Sequence, residues 1–308
     1  MSYTLLAGGT GAAKLLRGLC RVVPPENLTV IVNTGDDWGV WGLHISPDLD
    51  TVTYTLAGLI DETKGWGVKD DTFRCLAAMA ALGRETWFNL GDKDLATHLY
   101  RTDRLREGHT LSQVTDEIRR HLGIRSRILP MSDQRIATRV LTPDGWLAFQ
   151  EFFVREKAQP TVLEVAYEGS QAARAAPGVV EAISEARGVI VCPSNPISSI
   201  GPILSVPGIQ EALGATQASI VAVSPIVGGA PVSGPAGAMM QAKGLPVSPL
   251  GVAQAYEKWL DLLVIDRQDA PLVSEIEALS IRAVMTDTLM RDRQTEVALA
   301  RALLEALS

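Results

Sequence analysis

The first thirty-three residues leave few folds open. Tyr3 to Ala7 is a short apolar strand, Gly8 to Gly11 a glycine turn, Ala12 to Val22 a helix with Leu15, Leu16 and Leu19 on one face, and Leu28 to Asn33 a second apolar strand. A strand, a helix and a strand within about 30 residues form a βαβ unit, whose strands run parallel and are buried on both faces. Further apolar strands are expected at Arg127 to Pro130, Gly188 to Cys192, Ser219 to Val223, Leu262 to Ile265 and Ile281 to Met285, with helices filling most of the gaps. The series predicts an α/β fold with a doubly wound, mostly parallel, Rossmann-like sheet. In such sheets ligands bind in the crevice at the carboxyl ends of the strands.

Two segments depart from that alternation. Asp50 to His121 reads almost wholly helical, with N-caps expected at Asp70 or Asp71, Asp92 and Thr110. It predicts a mainly helical insertion at about 51–122 within one domain spanning 1–308. Thr138 to Val154 alternates around Pro143-Asp144-Gly145, the signal of a hairpin, expected as an antiparallel edge. With 308 residues, 46% of them apolar, the chain can fill such a core. No apolar run reaches the roughly 18 residues of a membrane span, and Met1 to Leu6 leads straight into a strand, so a cytoplasmic protein with no membrane partner is expected. A net charge of −7 argues against nucleic acid as a partner. The three cysteines, Cys20, Cys75 and Cys192, are odd in number and far apart, as core thiols rather than a disulfide framework or a metal site.

The residues that could carry chemistry sit after the strands. GGTGAAK, Gly8 to Lys14, lies where glycines let the backbone approach a phosphate and a helix N-terminus offers N–H donors. It completes neither the GxGxxG nor the GxxxxGK[ST] fingerprint, and a plain tight turn is the competing reading. Lys14 or Arg17 could add positive charge there or face solvent. VNTGDDWGVWGLHISPDLDT, Val32 to Thr51, carries Asp36, Asp37, Asp48 and Asp50 beside two tryptophans and His44, with no lysine or arginine. So one-sided a run points to an external cation. Mg²⁺ favours one or two carboxylates together with substrate phosphates, so a phosphate cradle facing these aspartates is the layout of metal-assisted phosphoryl transfer. Alternatively, Asp48 or Asp50 caps the helix that begins near Asp50, and His44 is a hydrogen-bonded structural residue.

A second polar loop, CPSNPISSIGP, places Ser194, Asn195, Ser198 and Ser199 at the carboxyl end of another strand, where they could bond a base or phosphates. SPIVGGAPVSGPAG follows the next strand. Trp38, Trp41, Trp66 and Trp87 could wall a flat heterocycle or pack in the core. GxSxG, HExxH and Cys/His clusters are absent from the sequence, which favours direct transfer between bound substrates.

In order and spacing, AGGTGAAKLLRGL, VNTGDDWGVWGLHISPDLDTVTYTLAG, WGVKDDTF, LGDKDLATH, ILPMSD, PSNPISSIGPIL and VSPIVGGAPVSGPAG closely resemble the 2-phospho-L-lactate transferase family (CofD, or FbiA) of coenzyme F420 biosynthesis, from Leu6 to about Thr288. The resemblance implies a Mg²⁺-dependent transferase and a homodimer. Its acceptor would be the deazaflavin Fo, its donor a guanosine-diphosphate-activated phospholactate or phosphoenolpyruvate, and its by-product GMP. It further implies that Gly8, Gly9, Thr10 and Gly11, together with the Ser194-Asn195 loop, hold the guanosine diphosphate; Lys14 and Ser198, read from the residues alone, are expected beside them. Asp50 would lie at Fo and the metal, Asn89 near Fo, and Asp36, Asp37 and Asp48 with Asp50 about Mg²⁺. Asp50 and Asp37 are the expected catalytic pair. Two other classes share part of the pattern. A related family of nucleotide-sugar-binding regulators, the gluconeogenesis-factor family, has the GGTG turn and the Asp-Asp pair but continues with a GGSSGRLR-like segment where this chain reads WGVWGLHISPDLD. An NAD-dependent dehydrogenase would share only the βαβ unit.

Overall fold

The computed structural model describes residues 2–307. Its strands, in chain order, are β1 (Tyr3–Ala7), β2 (Leu28–Val32), β3 (Trp38–Val40), β4 (Leu43–Ile45), β5 (Arg127–Pro130), β6 (Ala137–Thr142), β7 (Gly145–Ala148), β8 (Glu164–Glu168), β9 (Gly188–Val191), β10 (Ser219–Val223), β11 (Ile226–Val227), β12 (Ala230–Pro231), β13 (Leu262–Asp266) and β14 (Arg282–Thr286). Seven form one sheet in the order β14-β13-β10-β9-β1-β2-β5, with every pairing parallel. The order reverses between β1 and β9, which places the switch-point crevice outside their carboxyl ends.

Both faces of this sheet are covered: β1, β2, β9 and β13 are buried at every position. Leu5, Val30, Val32, Ile190 and Val221 belong to one core with Leu15, Leu16 and Leu19 of helix α1 (Gly9–Leu19) and with Leu299 and Leu303 of the C-terminal helix Arg293–Ala306. Their strand neighbours Leu6, Ile31, Val189, Val191 and Ile220 point into the other core. All three cysteines are free, but only Cys192 is the expected core thiol, its burial pushing the thiol up, while Cys20 and Cys75 are half-buried.

The insertion is less helical than its sequence predicts. Helices α2 (Pro47–Leu56), α3 (Arg74–Ala81), α4 (Asp92–Arg106) and α5 (Leu111–His121) are separated by long irregular stretches. The glycines at 58, 65, 67 and 83, all at positive φ, bend the chain there. Thr110 caps α5 in a reciprocal box with Gln113. The other expected caps act across helices. Asp71 accepts from the Lys93 and Asp94 N–H groups of α4 (2.8 and 3.0 Å), while Asp92 accepts from the Arg74 and Cys75 N–H groups of α3 (3.1 and 3.0 Å). Each carboxylate therefore satisfies the orphan donors of the other's helix.

The hairpin around Asp144 is not an edge of the main sheet. β6 and β7 join β8 in a separate antiparallel sheet, order β7-β6-β8, that buries Val140 and Val165 against the second core. The Thr138 N–H donates to the Gly35 carbonyl (2.7 Å), fixing this small sheet to the exit of β2. β3 and β4 form a further short hairpin that the glycine-rich sequence concealed. Among the described residues no helix is long and apolar enough to cross a membrane.

Gly18 is where α1 and the C-terminal helix touch backbone to backbone, since a Cβ there would lie 2.3 Å from the Glu296 carbonyl oxygen. Gly18→Ala should cost roughly 1–3 kcal/mol by overpacking. Gly214→Ala, in the last turn of the helix Ile209–Ala215 with nothing within 4 Å of the added methyl, should be neutral or stabilising. Thermal melts of the two variants check the contrast; equal melting temperatures would contradict it.

Candidate active site at the switch point

The glycine turn is shaped by protein packing on one side and open on the other. A Cβ at Gly8 would lie 2.7 Å from Asp48 Oδ2 and from Ser199 Cβ, and one at Gly11 would lie 2.2 Å from the Pro193 carbonyl oxygen. Gly9, at φ +71, would meet nothing within 4 Å. Gly8 and Gly11 are thus demanded by the close approach of β1's exit to β9's exit, and Gly9 leaves the open face. The Ser194 hydroxyl clamps that approach, donating to the Gly8 carbonyl (2.7 Å) and accepting from the Gly8 N–H (3.3 Å). The Gly9 N–H donates to Asp48 Oδ1 (2.8 Å). The N–H groups of Thr10 and Gly11 belong to the first turn of α1, which an α-helix leaves without internal partners.

Three aspartates crowd beneath the turn. Asp48 Oδ2 accepts from Asn33 Nδ2 (2.9 Å), whose amide also reaches the Ser198 carbonyl (3.3 Å). Asp37 Oδ2 lies 2.7 Å from His44 Nε2 and accepts from the Ser46 hydroxyl (2.8 Å). Asp36 is 6% exposed. One oxygen of Asp36 and one of Asp37 are buried with no hydrogen-bond partner. Burial raises all three carboxyls: Asp36 goes well above the usual range, with the Asp48 charge adding to it, Asp37 rises, and Asp48 is pushed up to about 6. Buried carboxylates with vacant lone pairs and no lysine or arginine bonded to them are the donor set of a hard divalent cation. Neither Asp48 nor Asp50 caps α2, for both side chains bond elsewhere.

Asp50 has a cation already. Arg101, from α4, is fully buried against it, one guanidinium nitrogen 3.2 Å from Asp50 Oδ2 and a second paired with Oδ1. Arg101 also reaches His98 Nδ1 (3.3 Å), whose Nε2 lies 3.2 Å from Asp94 Oδ1, and Tyr54 donates to the same Asp94 oxygen (2.6 Å). Ligand atoms of Asp50, Asp94 and His98 lie within 4.8 Å of one another, a spacing a metal could bridge, but the Arg101 guanidinium holds both Asp50 oxygens. The network was missed in the sequence. Its trace is the spacing Asp94, His98, Arg101, which stripes one face of α4 with polar residues that turn out to be buried.

The remaining candidates disperse. Asn195 turns its carbonyl back to the Ile197 and Ser198 N–H groups (2.9 and 3.2 Å), capping the turn that follows. Lys14 is exposed and donates to the Met290 carbonyl (3.2 Å). Trp38, Trp41 and Trp87 line one groove of ≈ 370 Å³ with Phe88, Arg84 and Glu85, whereas Trp66 lies apart beside Lys64. The Trp38 and Trp87 rings sit 5.8 Å apart, inclined at 53°. Asn89 is exposed, next in the chain to Phe88 of this groove. His44 is a structural partner of Asp37, and Ser46, fully buried with its proton directed at Asp37, is no nucleophile.

Arg101→Met would leave Asp50 buried without its counter-charge and should cost about 3–5 kcal/mol, far more than the loss of an exposed ion pair. Urea unfolding measures it, and a change below about 1 kcal/mol would mean that water or another cation replaces the guanidinium.

The family model 2-phospho-L-lactate transferase CofD matches residues 4–303. The 2-phospho-L-lactate transferase of Methanosarcina acetivorans is 46% identical over 296 residues, 96% of each chain. That of Methanocaldococcus jannaschii is 45% identical over 306 residues, 98% of this chain and 97% of its own. Among solved structures, a UPF0052 family member from Bacillus halodurans superposes with a TM-score of 0.69 at 18% identity, covering 98% of each chain, which shows the shared fold. Identity at this level along nearly the whole length has one reading: the chain belongs to the 2-phospho-L-lactate transferase CofD family, enzymes of coenzyme F420 biosynthesis.

Proposed function

We propose that this protein transfers a phospholactyl or phosphoenolpyruvyl group from a guanosine-diphosphate-activated donor to the deazaflavin Fo, with Mg²⁺, releasing GMP. The observation that carries the reading is the cluster of Asp36, Asp37 and Asp48, two of them with a buried, unpartnered oxygen, beside the open face of the glycine turn. These carboxylates would hold Mg²⁺, which when bound supplies positive charge against the donor's diphosphate. The first turn of α1 presents its N–H donors and dipole to the same phosphates. The Trp38–Trp41–Trp87 groove offers ring faces to the deazaflavin, with Asn89 at its side. Asp50, held in one orientation by Arg101, accepts a hydrogen bond from the ribityl hydroxyl of Fo.

In the transfer, that hydroxyl oxygen attacks the phosphorus next to the lactyl oxygen and forms the new P–O bond. The bond from this phosphorus to the bridging oxygen breaks, GMP departs with the electron pair, and the hydroxyl proton passes to a carboxylate or to water. No covalent enzyme intermediate is required.

Incubation with Fo, Mg²⁺ and each donor in turn, followed by mass spectrometry, tests the reading. Product from Fo should appear together with one equivalent of GMP, and only when metal is present. GMP release without conversion of Fo, or no release with any donor, would overturn it.

The carboxylate cluster makes a second expectation. Because the folded-state pKa of Asp48 is raised from 3.8 to about 6, its contribution to stability is fully present below the unfolded value and is lost as pH rises through about 6. Metal-free protein should therefore lose roughly 1 kcal/mol from this group between about pH 5 and pH 7. Mg²⁺ should raise the melting temperature at about pH 7 and not at about pH 5, where protons compete for the same oxygens. Asp37→Asn keeps an acceptor for His44 and Ser46 and can place its NH₂ at the position of the unpartnered oxygen. It should fold normally, lose the Mg²⁺ response and turn over about a hundredfold more slowly, like the loss of one preorganised electrostatic group. A Mg²⁺-dependent melting shift equal to wild type in this variant would remove Asp37 from the metal site.

A further inference from the structure

A sizeable concavity lies away from the switch point, at the far ends of α1 and α2. It encloses ≈ 690 Å³ between those helix ends and the C-terminal helix. Four arginines line it, Arg17 and Arg21 from the α1 side and Arg293 and Arg301 from the C-terminal helix, against a single carboxylate, Glu296. In a chain of net charge −7 this is a local excess of positive charge with no role in the site described above.

The four are not equivalent. Glu296, 2% exposed, takes Arg17 at 2.5 Å and Arg293 at 3.2 Å, and Arg293 also pairs with Glu62. These carboxylates hold two guanidinium groups in fixed positions on the cavity wall. The guanidinium groups of Arg21 and Arg301 make no hydrogen bond or ion pair with any described residue. The helix dipole accounts for Arg17 and Arg21, which sit at the C-terminal end of α1 where positive charge is favoured. It does not account for Arg293, the first residue of its helix, where a cation is disfavoured, nor for Arg301, which follows it at i+8 on the same face. The two helices touch at Gly18, and guanidinium groups from the α1 side and from the C-terminal helix line one space.

We propose that this cavity binds an anionic ligand bearing a phosphate chain. Arginine's planar fork matches phosphate oxygens in pairs, and a short chain of phosphates can engage fixed and unpaired guanidinium groups together. The site is distinct from the switch-point crevice, so binding here does not depend on the transfer reaction proposed above.

Isothermal titration of the wild type and of Arg21→Ala/Arg301→Ala with inorganic triphosphate, and separately with GTP, decides it. Both arginines are exposed and unpaired, so the double variant should melt like wild type. Any binding in the crevice is common to the two proteins, so the difference between them reports the cavity. Triphosphate affinity should fall roughly tenfold or more in the double variant, and Arg21→Lys/Arg301→Lys should recover part of it. An equal loss for triphosphate and GTP identifies the phosphate chain as the recognised group. A larger loss for GTP identifies a nucleotide. Unchanged affinity of the double variant for both probes, or no triphosphate binding by the wild type, would overturn the proposal.

Discussion

The site depends on how closely the end of β1 approaches the end of β9. At that point Gly8 and Gly11 leave no room for a Cβ, and the Ser194 hydroxyl bonds the Gly8 backbone in both directions. A methyl at either glycine would push the two exits apart by more than a hydrogen bond tolerates. Because the sheet order reverses here, the loops after β1 and β9 must separate to opposite faces, and the crevice opens between them. Asp48 is drawn in by the Gly9 N–H and by Asn33, and brings the start of α2 with it.

Electrostatics divides the acidic run into two unlike parts. Asp50 is neutralised by a buried arginine and set in a chain of Arg101, His98, Asp94 and Tyr54. Asp36 and Asp48 are buried and Asp37 nearly so, with no arginine or lysine bonded to them, and their carboxyls rise accordingly. A buried carboxylate without a counter-charge is costly unless a proton or cation joins it. This cost makes the cluster responsive to pH and to a divalent ion, whereas the Asp50 pair is rigid. Rigid and responsive carboxylates thus sit close together, Asp48 and Asp50 on the same helix α2, a division that fits the proposed pairing of an oriented acceptor with a metal.

The insertion serves the site through its loops as much as its helices. Asp71 and Asp92 exchange caps, so α3 and α4 are held to each other and the intervening stretch is fixed at both ends. That stretch supplies Trp87, Phe88 and Asn89. From the loop after α2, Gly65 approaches Thr10, where a Cβ would meet Thr10 Cγ2 at 3.1 Å. The α4 helix contributes Arg101 from the opposite side. The acidic run therefore becomes a walled site only when residues forty to seventy positions downstream fold over it.

Local physical chemistry determined much of this from the sequence alone. Seven apolar segments, a glycine turn between the first strand and helix, and the burial on both faces that these imply dictated a parallel sheet with a crevice at its strand ends. The one-sided charge of Val32 to Thr51 pointed to a cation, because charge imbalance is legible without coordinates. What remained hidden was long-range. Which aspartate meets Arg101 and which stay bare depends on how α4 packs beside α2, fifty-one residues apart in sequence. Asp71 and Asp92 carry the residue type of a cap, yet the helix each one caps is chosen by tertiary contact. The β3–β4 hairpin was concealed because its glycines and tryptophans carry no alternating pattern, and the β6–β8 sheet was misplaced because alternation reveals a strand but not its neighbour. Ser194 and Asn195 were legible as polar residues at a strand end. That their side chains bond the protein itself is a consequence of the close approach of β1 and β9, which no local pattern encodes.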